Sequence, residues 1–219
     1  PPHPAPNPPP PPPRPPGPHP PPARRTRGRA PPPARSTRRY DDRTHARRTA
    51  SEQSPTFGVP VGMVRGIIAG GPAALTRSIE GAEDQPEEGA SAVANTEAGE
   101  HDVVFGVTTG GRAPFVIGAL AEARKRNAFT VLLTCTPPLQ DEGNLADIHI
   151  HALPGPEVIT GSTRLKAGTV TKLILNQVTT LSMIQLGKVY ENLMVDLRPV
   201  NRKLVDRAHR ILTELTDLD

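Results

Sequence analysis

Two glutamates stand in short segments beside predicted helices, where their side chains could act as a general acid and a general base. Glu52 follows Thr-Ala-Ser, and Glu83 lies in the sequence Glu-Gly-Ala-Glu-Asp. Two carboxylates can divide proton donation and proton abstraction when their environments push their pKa values apart. Because glutamates are common on protein surfaces, composition alone favours two solvated side chains.

Two loops have the composition of phosphate sites. The first consists of Thr108, Thr109, Gly110, Gly111 and Arg112, and the second, residues 155–166, contains Ser162, Thr163, Arg164 and Lys166. Glycines let the backbone approach an anion, and the free N–H groups at the start of a helix favour phosphate. A plain tight turn explains the first loop about as well, and a helix cap with solvated charges is the alternative for the second. Two such loops in one sheet favour a phosphorylated ligand.

The remaining reactive side chains form no recognisable site. No His or Cys cluster has metal-ligand spacing. His149 and His151 alternate on a predicted strand, so both face one side, as edge or surface residues do. Cys135, the single cysteine, lies in an apolar run and has no internal disulfide partner, which suits a buried residue in a reducing cytoplasm.

The elements that must position these residues alternate between apolar strands and helices. The predicted strands cover residues 64–69, 102–108, 129–135 and 148–153, and the predicted helices cover 72–80, a segment from Pro114, 167–186 and 200–218. Residues 85–99 are predicted as a loop with a weak helix, and 191–199 as a loop. This alternation predicts an α/β fold with an open parallel sheet, whose ligands bind at the carboxyl ends of the strands. No run of 18 apolar residues is present, so we expect no membrane span.

Residues 1–49 have a different composition from the rest of the chain. They contain 19 of the 29 prolines, 11 arginines, two acidic residues and no Val, Ile, Leu, Met or Phe, so their net charge is +9, whereas residues 50–219 carry −5. Such a segment cannot bury enough apolar area to offset its ordering entropy, and we predict that it is disordered. Three interpretations are open. The segment is a proline-rich ligand or arginine-rich arm, it has no function, or, most simply, it is not native sequence. A GC-rich gene translated in the wrong frame gives a composition of this kind.

Residues 50–219 resemble the N-acetylmuramic acid 6-phosphate etherase family, within the SIS (sugar isomerase) fold. The resemblance is carried by long ungapped motifs. They are residues 54–58, 66–72 and 80–84 within the stretch 52–91, and residues 108–116, 155–169 and 187–197. It implies a partial SIS sugar-phosphate domain with a parallel sheet and helices on both faces. It also implies a cytoplasmic homodimer that uses neither a metal nor an organic cofactor.

The resemblance implies a lyase that converts N-acetylmuramic acid 6-phosphate and water to N-acetylglucosamine 6-phosphate and D-lactate. The family's proton donor matches Glu52, and the base that takes the C2 proton matches Glu83. Residues 108–112 match the sugar-phosphate loop, and Ser162 and Thr163 belong to the second ligand loop, together with Arg164 and Lys166.

The chain departs from the family pattern in three places. Ser is frequent in the family where Gly110 or Gly111 stands here, so a backbone N–H replaces one phosphate donor. The family's N-terminal helices, first strand and first Gly/Ser-rich loop are expected before Thr49, and a further helical segment after Asp219. We therefore expect a fragment of an etherase domain.

Two other functions compete with the etherase. A sugar-phosphate-binding regulatory module without catalysis, similar to the glucokinase regulatory protein, is the alternative, but the presence of both Glu52 and Glu83 favours the enzyme. A nucleic-acid-binding protein is disfavoured, because residues 50–219 are acidic overall and offer no aromatic stacking platform.

Overall fold

A parallel five-stranded sheet organises the part of the chain that the structure describes. The structure, a computed structural model, describes residues 37–41, 57–138, 143 and 145–216. The strands lie in the order β2-β1-β3-β4-β5, and every neighbouring pair is parallel. They are β1 (Thr37–Asp41), β2 (Val64–Ile67), β3 (Val103–Val107), β4 (Phe129–Thr134) and β5 (Ile148–His151).

Strand β1 lies within the segment for which the sequence predicts disorder. It pairs with β2 through Thr37↔Val64 and with β3 through Thr37↔Val103. Backbone ladders on both sides need no apolar side chains, and a composition argument that counts only side chains cannot detect them. These five residues are the part of the segment that the structure describes. Residues 1–36 and 42–49 lie outside the described residues, so the disorder of residues 1–49 stays a prediction.

Helices connect and cover the strands. Two short 3₁₀ helices span Gly71–Leu75 and Ala82–Asp84, and four α-helices follow: α1 (Pro86–Ala94), α2 (Pro114–Lys125), α3 (Lys166–Gln185) and α4 (Arg202–Thr216). Of the helix predicted over residues 72–80, the structure forms only the beginning, as the 3₁₀ helix Gly71–Leu75. The predicted loop 191–199 contributes β7 (Leu193–Met194), which pairs antiparallel with β6 (Val189–Tyr190).

The strands point alternate side chains into two hydrophobic layers, one on each face of the sheet. Val104 and Leu132 pack with α1 and α2 through a cluster that includes Val93, Val116 and Leu120. Phe105, Val107, Val131 and Leu133 pack on the other face against Leu175 of α3. Helices on both faces are what an all-parallel sheet requires, so the predicted α/β fold with an open parallel sheet is confirmed.

Two glycines allow α1 and α2 to pack closely. A Cβ at Gly89 would stand 1.9 Å from the carbonyl oxygen of Phe115, and a Cβ at Gly118 would stand 2.1 Å from that of Pro86. Only glycine fits at these two contacts. Because only Gln85 separates Pro86 from the 3₁₀ helix Ala82–Asp84, the contact at Gly118 also restrains the segment that carries Glu83.

No helix in the described ranges combines the length and the apolarity needed to cross a bilayer.

Candidate functional site

A cleft of about 830 Å³ gathers the residues of interest. Its first wall comes from residues 68–83, which leave strand β2, and its second wall comes from residues 159–168, which lead into α3. Both walls carry side chains that can bind a ligand or transfer a proton. The cleft is lined by Ile68, Ala69, Ala74, Arg77, Ser78, Ile79, Ala82, Glu83, Ile159, Thr160, Gly161, Ser162, Thr163, Arg164 and Gly168.

The first wall depends on a tight turn after β2. Gly70 has a φ of 79°, and a Cβ there would stand 2.9 Å from the Cβ of Ile79. The absence of a side chain at Gly70 therefore lets the segment around Ile79 fold back against the end of the strand. Glu83 follows in the 3₁₀ helix Ala82–Asp84, with its side chain exposed toward solvent.

The second wall is held by a carboxylate at the start of α3. The Glu157 side chain accepts hydrogen bonds from the backbone N–H of Lys166 at 3.1 Å and of Ala167 at 3.0 Å. The first N–H groups of a helix have no partner within the helix, so this carboxylate caps α3 from nine residues upstream. The same two bonds join the ends of the loop that carries Ser162, Thr163 and Arg164.

These hydrogen bonds also set the charge of the cap. The bond from the Ala167 N–H, followed by that from Lys166, lowers the pKa of Glu157. The carboxylate is therefore ionised at neutral pH. A ligand anion cannot share the two N–H groups with it, so an anion in the cleft must bind to other groups of the wall.

The structure brings four of the predicted site residues to one cleft. Glu83, Ser162, Thr163 and Arg164 all line it. Lys166 does not, and its backbone N–H is used by the Glu157 cap. Glu52 lies outside the described residues. The carboxylate from one predicted segment and the hydroxyls and guanidinium from another thus meet, although about 80 residues separate them in sequence.

The first predicted phosphate loop follows β3 and does not line this cleft. The backbone N–H of Thr108 donates to the Leu133 carbonyl at 3.0 Å, and the carbonyl of Thr109 accepts from the Cys135 N–H at 3.0 Å. Gly111 is buried, has a φ of 75° and donates to the Thr108 carbonyl at 3.3 Å. Gly110 and Arg112 are exposed. The loop is therefore a tight turn at the carboxyl end of the sheet, and its phosphate role stays a prediction.

Two polar residues of the first wall were not predicted as site residues from the sequence. Arg77 and Ser78 line the first wall and are exposed. The available signal was a basic residue six positions before Glu83, which has no meaning until the turn at Gly70 brings the segment to the cleft.

The remaining candidates are structural. His149 and His151 lie on the edge strand β5, their rings stack with centroids 6.1 Å apart, and the Nδ1 of His151 is 3.1 Å from the Thr134 Oγ1. Cys135 is half-buried, with its Sγ 3.7 Å from the Thr171 Oγ1. Within the described ranges, no three His, Cys, Asp or Glu side chains are grouped so that they could hold a metal ion.

The chain is similar to a regulatory-protein SIS domain and to curated N-acetylmuramic acid 6-phosphate etherases. Residues 49–124 match the glucokinase regulatory protein N-terminal SIS domain family. Over 167 residues, or 76% of the chain, it is 55% identical to an N-acetylmuramic acid 6-phosphate etherase of Mesorhizobium japonicum, of which it covers 54%. It is also 54% identical over 170 residues to the etherase of Gloeothece citriformis, with 78% of the chain and 55% of the relative covered. The chain thus spans about half the length of the curated relatives it matches.

Solved structures match the chain at lower sequence identity. The Vibrio vulnificus NanR protein complexed with ManNAc-6P matches with a TM-score of 0.45 and 16% identity, covering 85% of this chain and 57% of that protein. A phosphoheptose isomerase of Neisseria gonorrhoeae matches with a TM-score of 0.42 and 15% identity, covering 66% of this chain and 75% of that one.

Proposed function

We propose that this protein is a member of the N-acetylmuramic acid 6-phosphate etherase family and that it contributes the catalytic cleft of such an etherase. The reaction takes N-acetylmuramic acid 6-phosphate and water and yields N-acetylglucosamine 6-phosphate and D-lactate. The observation that carries the proposal is the meeting of Glu83 with Ser162, Thr163 and Arg164 around one cleft. The relatives at 54–55% identity support the same substrate.

The chemistry divides the proton transfers between two carboxylates. Glu83 takes the proton from C2, which lies next to the C1 aldehyde of the open-chain sugar, so the carbanion is delocalised. The C3–O bond then breaks, and the lactate oxygen leaves with a proton from Glu52. Water adds to C3, and a proton returns to C2. Each carboxylate acts once as an acid and once as a base, which is the division of labour that a carboxylate pair supports.

The phosphate is proposed to bind to both predicted loops. Ser162, Thr163 and Arg164 line the cleft. In this proposal their hydroxyls and the guanidinium supply charge-assisted hydrogen bonds. Lys166 adds positive charge next to this wall. Residues 108–112 are proposed to close the phosphate site from the end of β3. In support, β3 ends at the same edge of the sheet as β2, from which the first wall starts.

The competing function is a regulatory module that binds a sugar phosphate without turning it over. The match of residues 49–124 to the glucokinase regulatory protein SIS domain supports it. The decisive experiment incubates the protein with N-acetylmuramic acid 6-phosphate and measures D-lactate enzymatically. Lactate release that disappears in Glu83→Gln supports the etherase, whereas calorimetric binding without lactate release supports the regulatory module.

We also propose a cytoplasmic homodimer, formed through the outer surfaces of α3 and α4. Apolar side chains are exposed there in helical register: Leu173, Leu181 and Ile184 on α3, and Val205, Leu212 and Leu215 on α4. Exposed apolar stripes of this kind mark contact surfaces. Light scattering should give twice the chain mass, and Leu212→Lys should give the single-chain mass, whereas Leu153→Lys, an exposed leucine outside both helices, should leave the dimer intact.

A further inference from the structure

Two arginines line the cleft from different walls. Arg77 comes from the first wall, six residues before Glu83, and Arg164 comes from the second wall, beside Ser162 and Thr163. Among the described residues, neither guanidinium has a hydrogen-bond or ion-pair partner, and both side chains are exposed. Each can therefore bind a ligand anion without breaking an existing contact.

The proposed substrate carries two anions that stand far apart on the sugar. Its phosphate is on C6, and its carboxylate belongs to the lactyl group on C3. C3 is bonded directly to C2, the carbon from which Glu83 takes the proton, whereas C6 is four bonds away from C2. The lactyl carboxylate is therefore held on the side of Glu83, and the phosphate extends away from it.

The arginine that shares a wall with Glu83 is thus placed for the carboxylate. We propose that Arg77 binds the lactyl carboxylate of the substrate, while Arg164 and its neighbouring hydroxyls bind the phosphate. Arg77 then determines specificity, because it distinguishes a sugar phosphate that carries a 3-O-carboxyalkyl ether from one that carries only a hydroxyl. This inference rests on the proposed function of the same cleft.

The planar guanidinium fits a carboxylate with two parallel hydrogen bonds, a geometry that lysine cannot reproduce. A hydrogen bond to a charged group is worth about 1.5–3 kcal/mol, which corresponds to roughly a 10- to 150-fold change in affinity. Loss of the Arg77 contact should therefore lower the affinity only for ligands that carry the carboxylate. The product N-acetylglucosamine 6-phosphate lacks that group, so its affinity should not change.

The test compares two ligands on two variants. Calorimetric titration measures the affinity for N-acetylglucosamine 6-phosphate, and the KM and kcat for lactate release are measured with N-acetylmuramic acid 6-phosphate. Arg77→Gln should raise the KM at least 10-fold and leave the affinity for N-acetylglucosamine 6-phosphate within twofold, with Arg77→Lys in between. Arg164→Gln should weaken the binding of both ligands. Arg207→Gln, a change of an exposed arginine on α4 that does not line the cleft, should alter neither.

The outcomes separate this inference from the proposed function. Lactate release by the wild type with an unchanged KM in Arg77→Gln would overturn the role of Arg77 and leave the etherase standing. An equal loss of both ligands in Arg77→Gln would show that Arg77 contacts the phosphate or the sugar, and would also overturn it. Where the wild type binds N-acetylmuramic acid 6-phosphate without releasing lactate, the etherase fails, and the same comparison of calorimetric affinities still decides the role of Arg77.

Discussion

The Glu157 carboxylate accepts a hydrogen bond from the backbone N–H of Ala167 at 3.0 Å, and through it the start of α3 is tied to the loop that precedes it. The second bond, from Lys166, closes the same loop. The residues between these anchors form the second wall of the cleft. The positions of the Ser162 and Thr163 hydroxyls therefore depend on a charged group that does not itself line the cleft.

The Glu157 cap makes stability depend on acid pH. Its folded-state pKa is lowered from the ordinary value of 4.5, so its contribution is fully present above that value and is lost as the pH falls through the folded-state pKa. Glu157→Gln should lower the free energy of unfolding at pH 7. The difference from the wild type should shrink below about pH 4.5, because the protonated wild-type side chain is also neutral.

Urea unfolding at a series of pH values measures that difference. Glu214→Gln, which changes an exposed glutamate on α4, serves as the control and should leave the difference near zero throughout. A Glu157→Gln deficit that stays constant down to pH 3 would show that the ionised carboxylate is not what caps α3.

Close packing of α1 against α2 predicts opposite effects for two glycine-to-alanine changes. Gly118→Ala places a Cβ 2.1 Å from the Pro86 carbonyl oxygen, and overpacking of this kind costs about 1–3 kcal/mol. Gly168→Ala in α3 meets no atom closer than 3.7 Å, and should stabilise the protein by about 0.5–1 kcal/mol through helix propensity.

Thermal unfolding distinguishes the two glycine variants, since 1 kcal/mol shifts the melting temperature by about 2–4 °C in a chain of this size. Gly118→Ala should also reduce lactate release, because the displaced Pro86 follows the segment that carries Glu83. A Gly118→Ala protein as stable as the wild type would contradict the close helix contact.

The two glycines of the loop after β3 should respond differently to valine. Gly110 has open space around its Cβ position and is not in the left-handed region, whereas Gly111 is buried with a φ of 75°. Gly111→Val should therefore unfold the loop whatever its function. Gly110→Val should keep the fold. If the phosphate binds at this loop, the change should lower the affinity for N-acetylglucosamine 6-phosphate at least 10-fold, because charge-assisted hydrogen bonds are lost.

Calorimetry of Gly110→Val, with its melting temperature as the control for folding, decides whether this loop belongs to the site. Unchanged affinity in a folded protein would remove residues 108–112 from the phosphate site and leave the second wall of the cleft as its binding surface.

Elements with a continuous apolar face were predictable from the sequence, and strand β1, which has none, was not. Strands β3 and β4 and helix α3 agree with their predicted positions within one or two residues, because their apolar faces are continuous. Strand β1 reads Thr-Arg-Arg-Tyr-Asp and has no such face. Its place between β2 and β3 is a property of backbone pairing, which side-chain patterns do not record.

The site was predictable only where a residue's own segment carries the signal. Glu83 and the hydroxyls at 162 and 163 stand in motifs that a local comparison detects. Arg77 reaches the cleft because Gly70 lets the chain turn back, and Glu157 acts on N–H groups nine and ten residues away. Both roles arise from folding, so the sequence alone gave no reason to select them.

Glu83 and Glu52 should show different effects when each is replaced by glutamine. Glu83→Gln keeps the shape and the hydrogen-bonding capacity of the side chain but cannot accept the C2 proton at neutral pH. General base catalysis typically contributes about 10²–10⁴-fold in rate, so lactate release should fall by that factor while the substrate still binds. Exchange of the C2 proton with deuterated water, followed by NMR, should fall in parallel, because that exchange needs only the base.

Glu52→Gln should slow lactate release and leave C2 exchange in place, since the base remains. The reverse pattern would exchange the two roles, and unchanged lactate release in both variants would refute the carboxylate mechanism.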